Sequence, residues 1–337
     1  MGFPGQYAPR VEHSQTILRK VEPAAAAEFS LDGLLALWVR VRSPKVVRQH
    51  RTTVALLKRF LGADIDYRRV EQKDIRRWID HLATAGKSRV VQAAHLKNVS
   101  ALFAAAVGRA MMPVNPAAGI KPDGKKQPSK KQSFSGAQLR LILERAEATG
   151  FGGSRHQAVM MLLRAVIWSG CRINEISQLQ RGDLTAENGM VIMHIRETDA
   201  VTGKRHPEKS VKSGEGRRIP LHPEIASDFL AYVQGRRSGD FIFDCFMHDK
   251  VGKRGGWLIS RFGELLRKVC GITDRRLTLH STRHRFIDAC RNAGVDEERA
   301  RFLVGHAGSG VHSRYGSGPG LRLLADDLRE VEPLSDD

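Results

Sequence analysis

The sequence is short of the groups that would bind metal, cross a membrane or staple a secreted fold. Its four cysteines, Cys171, Cys245, Cys270 and Cys290, are scattered and form no Cys-x-x-Cys pair. A zinc site and a disulfide framework are therefore not expected, and all four read as buried small residues. The apolar run over 158–163 is cut by Arg164, far short of the roughly 20 residues a spanning helix needs. The N-terminus carries Arg10, Glu12, His13, Arg19 and Lys20 without the apolar core of a signal peptide. The expectation is a cytoplasmic protein with no membrane partner. No carboxylate cluster suits Mg²⁺, and Gly214-Glu215-Gly216 reads as a turn rather than a nucleotide cradle. His280 and His284 stand at i and i+4, as a zinc pair would. Ser281, however, occupies the place of a metalloprotease glutamate, and no third ligand is evident. No metal or cofactor is expected.

Acidic residues are scarce as well, 36 Asp and Glu against 55 Lys and Arg, for a formal net charge of +19. An excess of this size says little about fold and much about partners, because nucleic acid is attracted strongly to it. The hydrophobic fraction of 41% is that of a globular chain, and 337 residues suffice for two domains, each with its own core.

Residues 1–28 read as a leader. Helical spacing then begins. Leu31, Leu34, Leu35, Trp38 and Val39 share a face behind Ser30 as N-cap, and Ser43-Pro44 starts a second helix that Gly62 ends. Ile75, Trp78, Ile79 and Leu82 mark a third, closed near Gly86. Ser88 caps a fourth that carries Leu96, Val99, Leu102 and Phe103, and Asn115-Pro116 is a breaker. This region, 29–120, is all helix. It is dense in cations: Arg40, Arg42, Lys45, Arg48, Arg51, Lys58, Arg59, Lys87, Arg89 and Lys97 outnumber the acids that would pair with them. Several are expected to contact phosphate. Residues 121–133, rich in Lys, Pro and Gly, read as an extended basic linker.

From 134 onward the pattern is mixed. Ser135 caps a helix, and another runs from about His156 to Trp168 and stops at Ser169-Gly170. Strands are expected at 189–195 and 217–221 around a polar insertion at 196–216, with a short third strand at Phe241-Ile242-Phe243. Helices resume at 257–269, 280–292 and 296–303 before an acidic tail. The fold class expected is mainly α with a small antiparallel β-sheet.

Four segments stand out for phosphate chemistry. They are Ser169-Gly170-Cys171-Arg172-Ile173-Asn174-Glu175, then Lys212-Ser213-Gly214 leading to Arg217-Arg218-Ile219-Pro220, then Leu279-His280-Ser281-Thr282-Arg283-His284, and last Leu303-Val304-Gly305-His306 followed by Tyr315. Singly each is weak. In this order and at this spacing they closely resemble the catalytic domain of the tyrosine recombinases, the phage-integrase family. The resemblance covers about 134–320, and 29–120, with its Asn115-Pro116-Ala117 end, looks like the family's helical core-binding domain. Carried over residue by residue, it implies a catalytic set of Arg172, Lys212, His280, Arg283, His306 and Tyr315. It further implies a catalytic domain over 134–337 with a C-terminal oligomerisation tail, in which Leu321, Leu323, Leu324 and Leu328 form a helix that docks on a neighbouring protomer. The two domains are expected to form a C-shaped clamp on double-stranded DNA.

The chemistry accounts for these residue types. Attack on a phosphodiester builds negative charge on the non-bridging oxygens, and two guanidiniums, Arg172 and Arg283, stabilise it with fixed charge and paired hydrogen bonds. His306 adds a donor. The Tyr315 phenol, whose ordinary pKa is about 10, needs nearby cations and a base such as His280 to act as nucleophile. Lys212 protonates the leaving 5′-oxygen. Lys204 and Lys209, in the same insertion, compete for that role, and Arg285 is expected to add a phosphate contact. The resemblance implies a 3′-phosphotyrosine intermediate, rejoining without ATP, and four protomers acting on two specific sites of a mobile element, with accessory DNA-bending or directionality proteins compatible. Two rivals stand beside it: a type IB topoisomerase using nearly the same residues, and a DNA-binding protein without cleavage.

Overall fold

The computed structural model describes residues 29–40, 42, 44–63, 65–124, 132–212, 214–246, 254–306 and 318–336. The chain divides into two compact units, Met1–Pro128 and Ser129–Asp337, each with its own apolar core.

The first unit is a helical bundle of α1 (Leu31–Val39), α2 (Pro44–Leu61), α3 (Gln72–Thr84) and α4 (Arg89–Val107). Ser30 accepts a hydrogen bond from the Gly33 N–H and Ser88 from the Val91 N–H, so both capping serines act as the sequence predicts. Leu31, Leu34, Val54, Ile75, Trp78, Val99 and Phe103 meet in the core. Helix α4 is long and apolar enough in composition to cross a membrane, yet Leu96, Val99, Leu102, Phe103 and Ala106 face the bundle. The Asn115-Pro116-Ala117 end has a physical basis. Asn115 Oδ1 accepts from the Ala117 N–H (2.9 Å) and its Nδ2 donates to Ser100 O (3.0 Å), which pins the chain back to α4 as it leaves the bundle.

The second unit opens with α5 (Gly136–Ala148), capped by Ser135 and Gln138, and α6 (His156–Ser169), which is buried along nearly its whole length. Gly170 ends α6 in the left-handed region (φ 59°), and a Cβ there would press on Phe286 and Val304. Only glycine fits that backbone and that contact. A short α7 (Ile173–Ser177) follows. Three antiparallel strands, β1 (Leu184–Glu187), β2 (Met190–Ile195) and β3 (Arg217–Pro220), then form a sheet in that order, with Leu184 opposite Met193 and Ile195 opposite Arg217. Beyond it lie α8 (Pro223–Tyr232), α9 (Gly256–Glu264) continuing as a π-helical turn (Leu265–Val269), α10 (Ser281–Asn292), α11 (Glu297–Val304) and α12 (Leu321–Arg329).

Several expectations are corrected. Phe241-Ile242-Phe243 is not a strand. Phe241 makes one isolated bridge to Gln180, while Ile242 and Phe243 are buried in the core. The third strand is β1, joined to β2 by Asn188-Gly189, both at positive φ (49° and 75°), the hairpin turn these two residues favour. Cys171 and Cys290 are buried, but Cys245 and Cys270 are only partly so. Apart from these corrections, α12 and the residues after it make contacts within the second unit: Leu324, Leu328 and Val331 enter its core, Arg299 pairs with Asp327 (2.6 Å), and Asp336 accepts from the Ala137 N–H (2.9 Å) at the start of α5.

Candidate active site

The site is built where α6, α7, α10 and α11 converge. Arg172 stands at the N-terminus of α7, where its backbone N–H donates to Glu175 Oε2 (3.3 Å). Its Nη1 donates to Glu175 Oε1 (2.8 Å) and to Gly305 O (3.1 Å). Arg283, one turn into α10, is almost fully buried. Its Nη1 donates to Gly170 O (2.9 Å) and to Val304 O. Arg217, at the start of β3, donates from Nε to Leu303 O (3.2 Å) and from Nη2 to Glu175 Oε2 (2.8 Å) and Cys171 Sγ (3.3 Å).

Three consecutive carbonyls, Leu303, Val304 and Gly305, thus receive Arg217, Arg283 and Arg172 in turn. They are carbonyls at the C-terminus of α11, where a helix leaves acceptors unpaired and carries partial negative charge. Gly305 closes the helix in the left-handed region (φ 67°), and a Cβ on it would fall on the Arg217 guanidinium. The His306 N–H turns back to Arg301 O (2.9 Å), and the residue is exposed. The Leu-Val-Gly-His segment therefore does more than supply His306: its backbone sets the arginines.

Burial alone would raise the Glu175 carboxyl, but the Arg217 guanidinium, then Arg172, outweighs it and holds the group below the ordinary glutamate range. Burial, reinforced by the nearby Arg172 charge, pushes Arg283 down to about 10. Arg283 stays a cation at neutral pH, and its Nη2 has no partner among the described residues. A buried donor left in this way is ready for an anion.

Arg172, His280 and Arg283 line one cavity of about 710 Å³, joined by Arg267 and Arg275. His280 is exposed at the N-terminus of α10, its ring edge-on to His284 at 5.1 Å. No group of three potential metal ligands occurs among the described residues. Lys212 is exposed on the β2–β3 insertion. Lys209, its rival, is buried and bonded to Asp183 (2.6 Å), whereas Lys204 is exposed beside the Thr198–Arg205 bridge. Arg285 is buried and donates from Nε to Pro333 O (3.0 Å), so it holds the C-terminal segment and does not face the cavity. Tyr315 lies outside the described residues.

Sequence reading missed Arg217, Arg267 and Arg275. Arg217 sits in the strand that follows Lys212, where an inward-facing arginine among Ile219 and Leu221 was the available signal. The pair Arg275-Arg276 just before the His280 segment was another. Arg267 carried no signal apart from charge.

The Phage integrase family model matches residues 132–317. The chain belongs to the phage integrase family of tyrosine recombinases. It is 25% identical over 308 residues to tyrosine recombinase XerC of Corynebacterium efficiens, covering 87% of this chain and 86% of that one. It is also 25% identical over 189 residues to the transposase from transposon Tn916 of Enterococcus faecalis, covering 53% of this chain but only 45% of that protein's length. In fold it resembles the Tn1549 transposon integrase in complex with a circular intermediate DNA (TM-score 0.61, 19% identity, 85% of this chain and 98% of that one). It likewise resembles a lambda integrase dimer bound to a COC′ core site (TM-score 0.59, 16% identity, 83% and 96%).

Proposed function

We propose that the protein is a site-specific DNA recombinase that cuts and rejoins DNA through a 3′-phosphotyrosine link to Tyr315. The observation that carries the reading is the placement of Arg172 and Arg283 on adjacent carbonyls of one helix end, lining one cavity with His280, with a donor on Arg283 that has no partner among the described residues. Two fixed guanidiniums bind the scissile phosphate and gain strength as charge builds on its oxygens. His280 and His306 supply donors and proton transfer, and Lys212 gives a proton to the leaving 5′-oxygen. The Tyr315 oxygen forms the new ester as the 5′-oxygen departs. One phosphodiester replaces another, so religation by reversal needs no ATP.

The DNA substrate follows from the charge of +19 and from the exposed Arg40, Arg42, Arg48, Arg51, Arg59, Lys87 and Lys97 on the helical unit. Lambda integrase forms a dimer on a core site and a tetramer on a Holliday junction. By that likeness this chain acts as a tetramer on two duplexes, inside the cell beside its DNA. Residues 29–120 serve as the core DNA-binding domain and 134–337 as the catalytic domain.

The test is covalent capture. Wild-type protein is mixed with a random-sequence pool of nicked duplexes, and DNA that stays attached under denaturing conditions is recovered and sequenced. A recurring sequence joined at a 3′-phosphate is expected. That sequence, placed twice on a plasmid, should be recombined. Relaxation of supercoils without exchange would identify a topoisomerase instead, and no adduct at all would leave a DNA-binding protein.

A further inference from the structure

The three residues before Lys212 are each held by a separate bond. Lys209 Nζ lies 2.6 Å from Asp183 Oδ2 and 3.4 Å from Gln180 Oε1. The Ser210 N–H donates to Gln178 Oε1 (2.9 Å) and the Val211 N–H to Glu197 Oε1 (2.8 Å). Val211 itself enters the core, and the Gly214 N–H returns to Val211 O (3.0 Å), closing a turn with Lys212 inside it. Lys209 and Val211 are buried, whereas the Lys212 side chain between Val211 and the turn's end is exposed.

Gln178, Gln180 and Asp183 belong to the short stretch that begins at Arg172, so the stretch that carries one catalytic arginine also fastens the lysine turn. Asp183 is its hub. It is fully buried and accepts from Lys209, from Arg196 Nε (2.7 Å) and from the Gln180 N–H (2.8 Å). Burial pushes the Lys209 ammonium down, against the pull of Asp183. A fold gains little stability from an ion pair buried this deeply, since apolar residues of similar volume do as well. The best attested use of such a pair is to fix register.

We propose that Asp183 and Lys209 are positioning residues for Lys212: their buried pair fixes the register of the β2–β3 insertion and so holds the Lys212 ammonium at the leaving oxygen. The proposal rests on the reading of Lys212 as general acid.

The test compares the rate of covalent attachment on two nicked duplexes carrying the captured sequence. One has the ordinary phosphodiester. The other has a 5′-bridging sulfur, which leaves without protonation. Lys209→Met keeps the apolar stem and leaves Asp183 paired with Arg196. It is expected to be about tenfold slower on the phosphodiester, as misplacement of an acid predicts, and near the wild-type rate on the sulfur substrate. Adding Lys209→Met to Lys212→Ala should cost nothing more, because one acts through the other. Equal slowing on both substrates, no slowing on the phosphodiester, or a further loss on top of Lys212→Ala would each overturn the proposal. If Lys209→Met does not fold, Lys209→Gln, which removes the charge facing Asp183 but keeps a hydrogen-bond donor, takes its place with the same sulfur-selective pattern and the same outcomes. A wild-type protein that forms no adduct on either substrate would instead overturn the recombinase reading itself.

Discussion

Glu175 and Arg217 form an ion pair of 2.8 Å with side chains only 2% and 5% exposed. With Arg172 on the other carboxylate oxygen, Glu175 joins the first arginine of the site to the strand that follows the lysine turn. Removing the charge leaves Arg217 buried without its counter-ion, so Glu175→Gln should destabilise the second unit by about 3 kcal/mol. The folded Glu175 carboxyl lies below its unfolded value. Its contribution is therefore complete above the ordinary glutamate range and is lost as pH falls through the folded value. Thermal melts from neutral to acid pH should show the stability gap between wild type and Glu175→Gln narrowing as the pH drops below about 4. A gap that stays constant would mean the pair contributes no charge-linked stability.

Lys212→Ala should attach to an ordinary nicked site at least about 100-fold more slowly than wild type, the usual contribution of a general acid, and regain its rate when sulfur replaces the bridging 5′-oxygen. Lys204→Ala should behave as wild type on both. Sulfur rescue of Lys204→Ala instead would move the acid to Lys204.

DNA affinity should fall steeply with salt. Six or more phosphate contacts imply a loss of about 10³-fold between about 50 and about 200 mM. Arg48→Ala and Arg59→Ala, both on the exposed side of α2, should each reduce the slope of log affinity against log salt by about one. A flat dependence, read by fluorescence anisotropy, would rule out a phosphate-clamping surface on the helical unit.

On the proposed reading, in which Arg172 and Arg283 take the role a cation would play, cleavage should persist in excess chelator. Activity abolished by chelator and restored by Mg²⁺ would mean that the guanidiniums do not carry the charge of the transition state.

Much of this was legible in the sequence because it depends on local signals. The serine caps at Ser30, Ser88 and Ser135, the stop at Gly170 and the helical spacing of each bundle face all lie within a few residues of what they specify. Asn188-Gly189 was an equally local hairpin signal, but Leu184-Thr185-Ala186-Glu187 is too short and too weak in strand formers to announce β1. His222-Pro223 likewise marks the start of α8, which was not expected. What the sequence could not supply was tertiary. Arg217 and Arg285 look like surface cations in the chain, and their burial depends on carbonyls 86 and 48 residues away. Lys209 and Lys212 look alike in composition, and only the position of Asp183 separates the buried lysine from the exposed one.

The most direct measurement concerns Tyr315. Wild-type protein and Tyr315→Phe are incubated with the same captured nicked duplex and run on a denaturing gel, with DNA binding measured in parallel. Tyr315→Phe removes only the attacking oxygen. It should bind as wild type and give no covalent band, while peptide mapping of the wild-type adduct should find the DNA on Tyr315. An adduct that survives in Tyr315→Phe, or DNA mapped to another residue, would contradict the assignment.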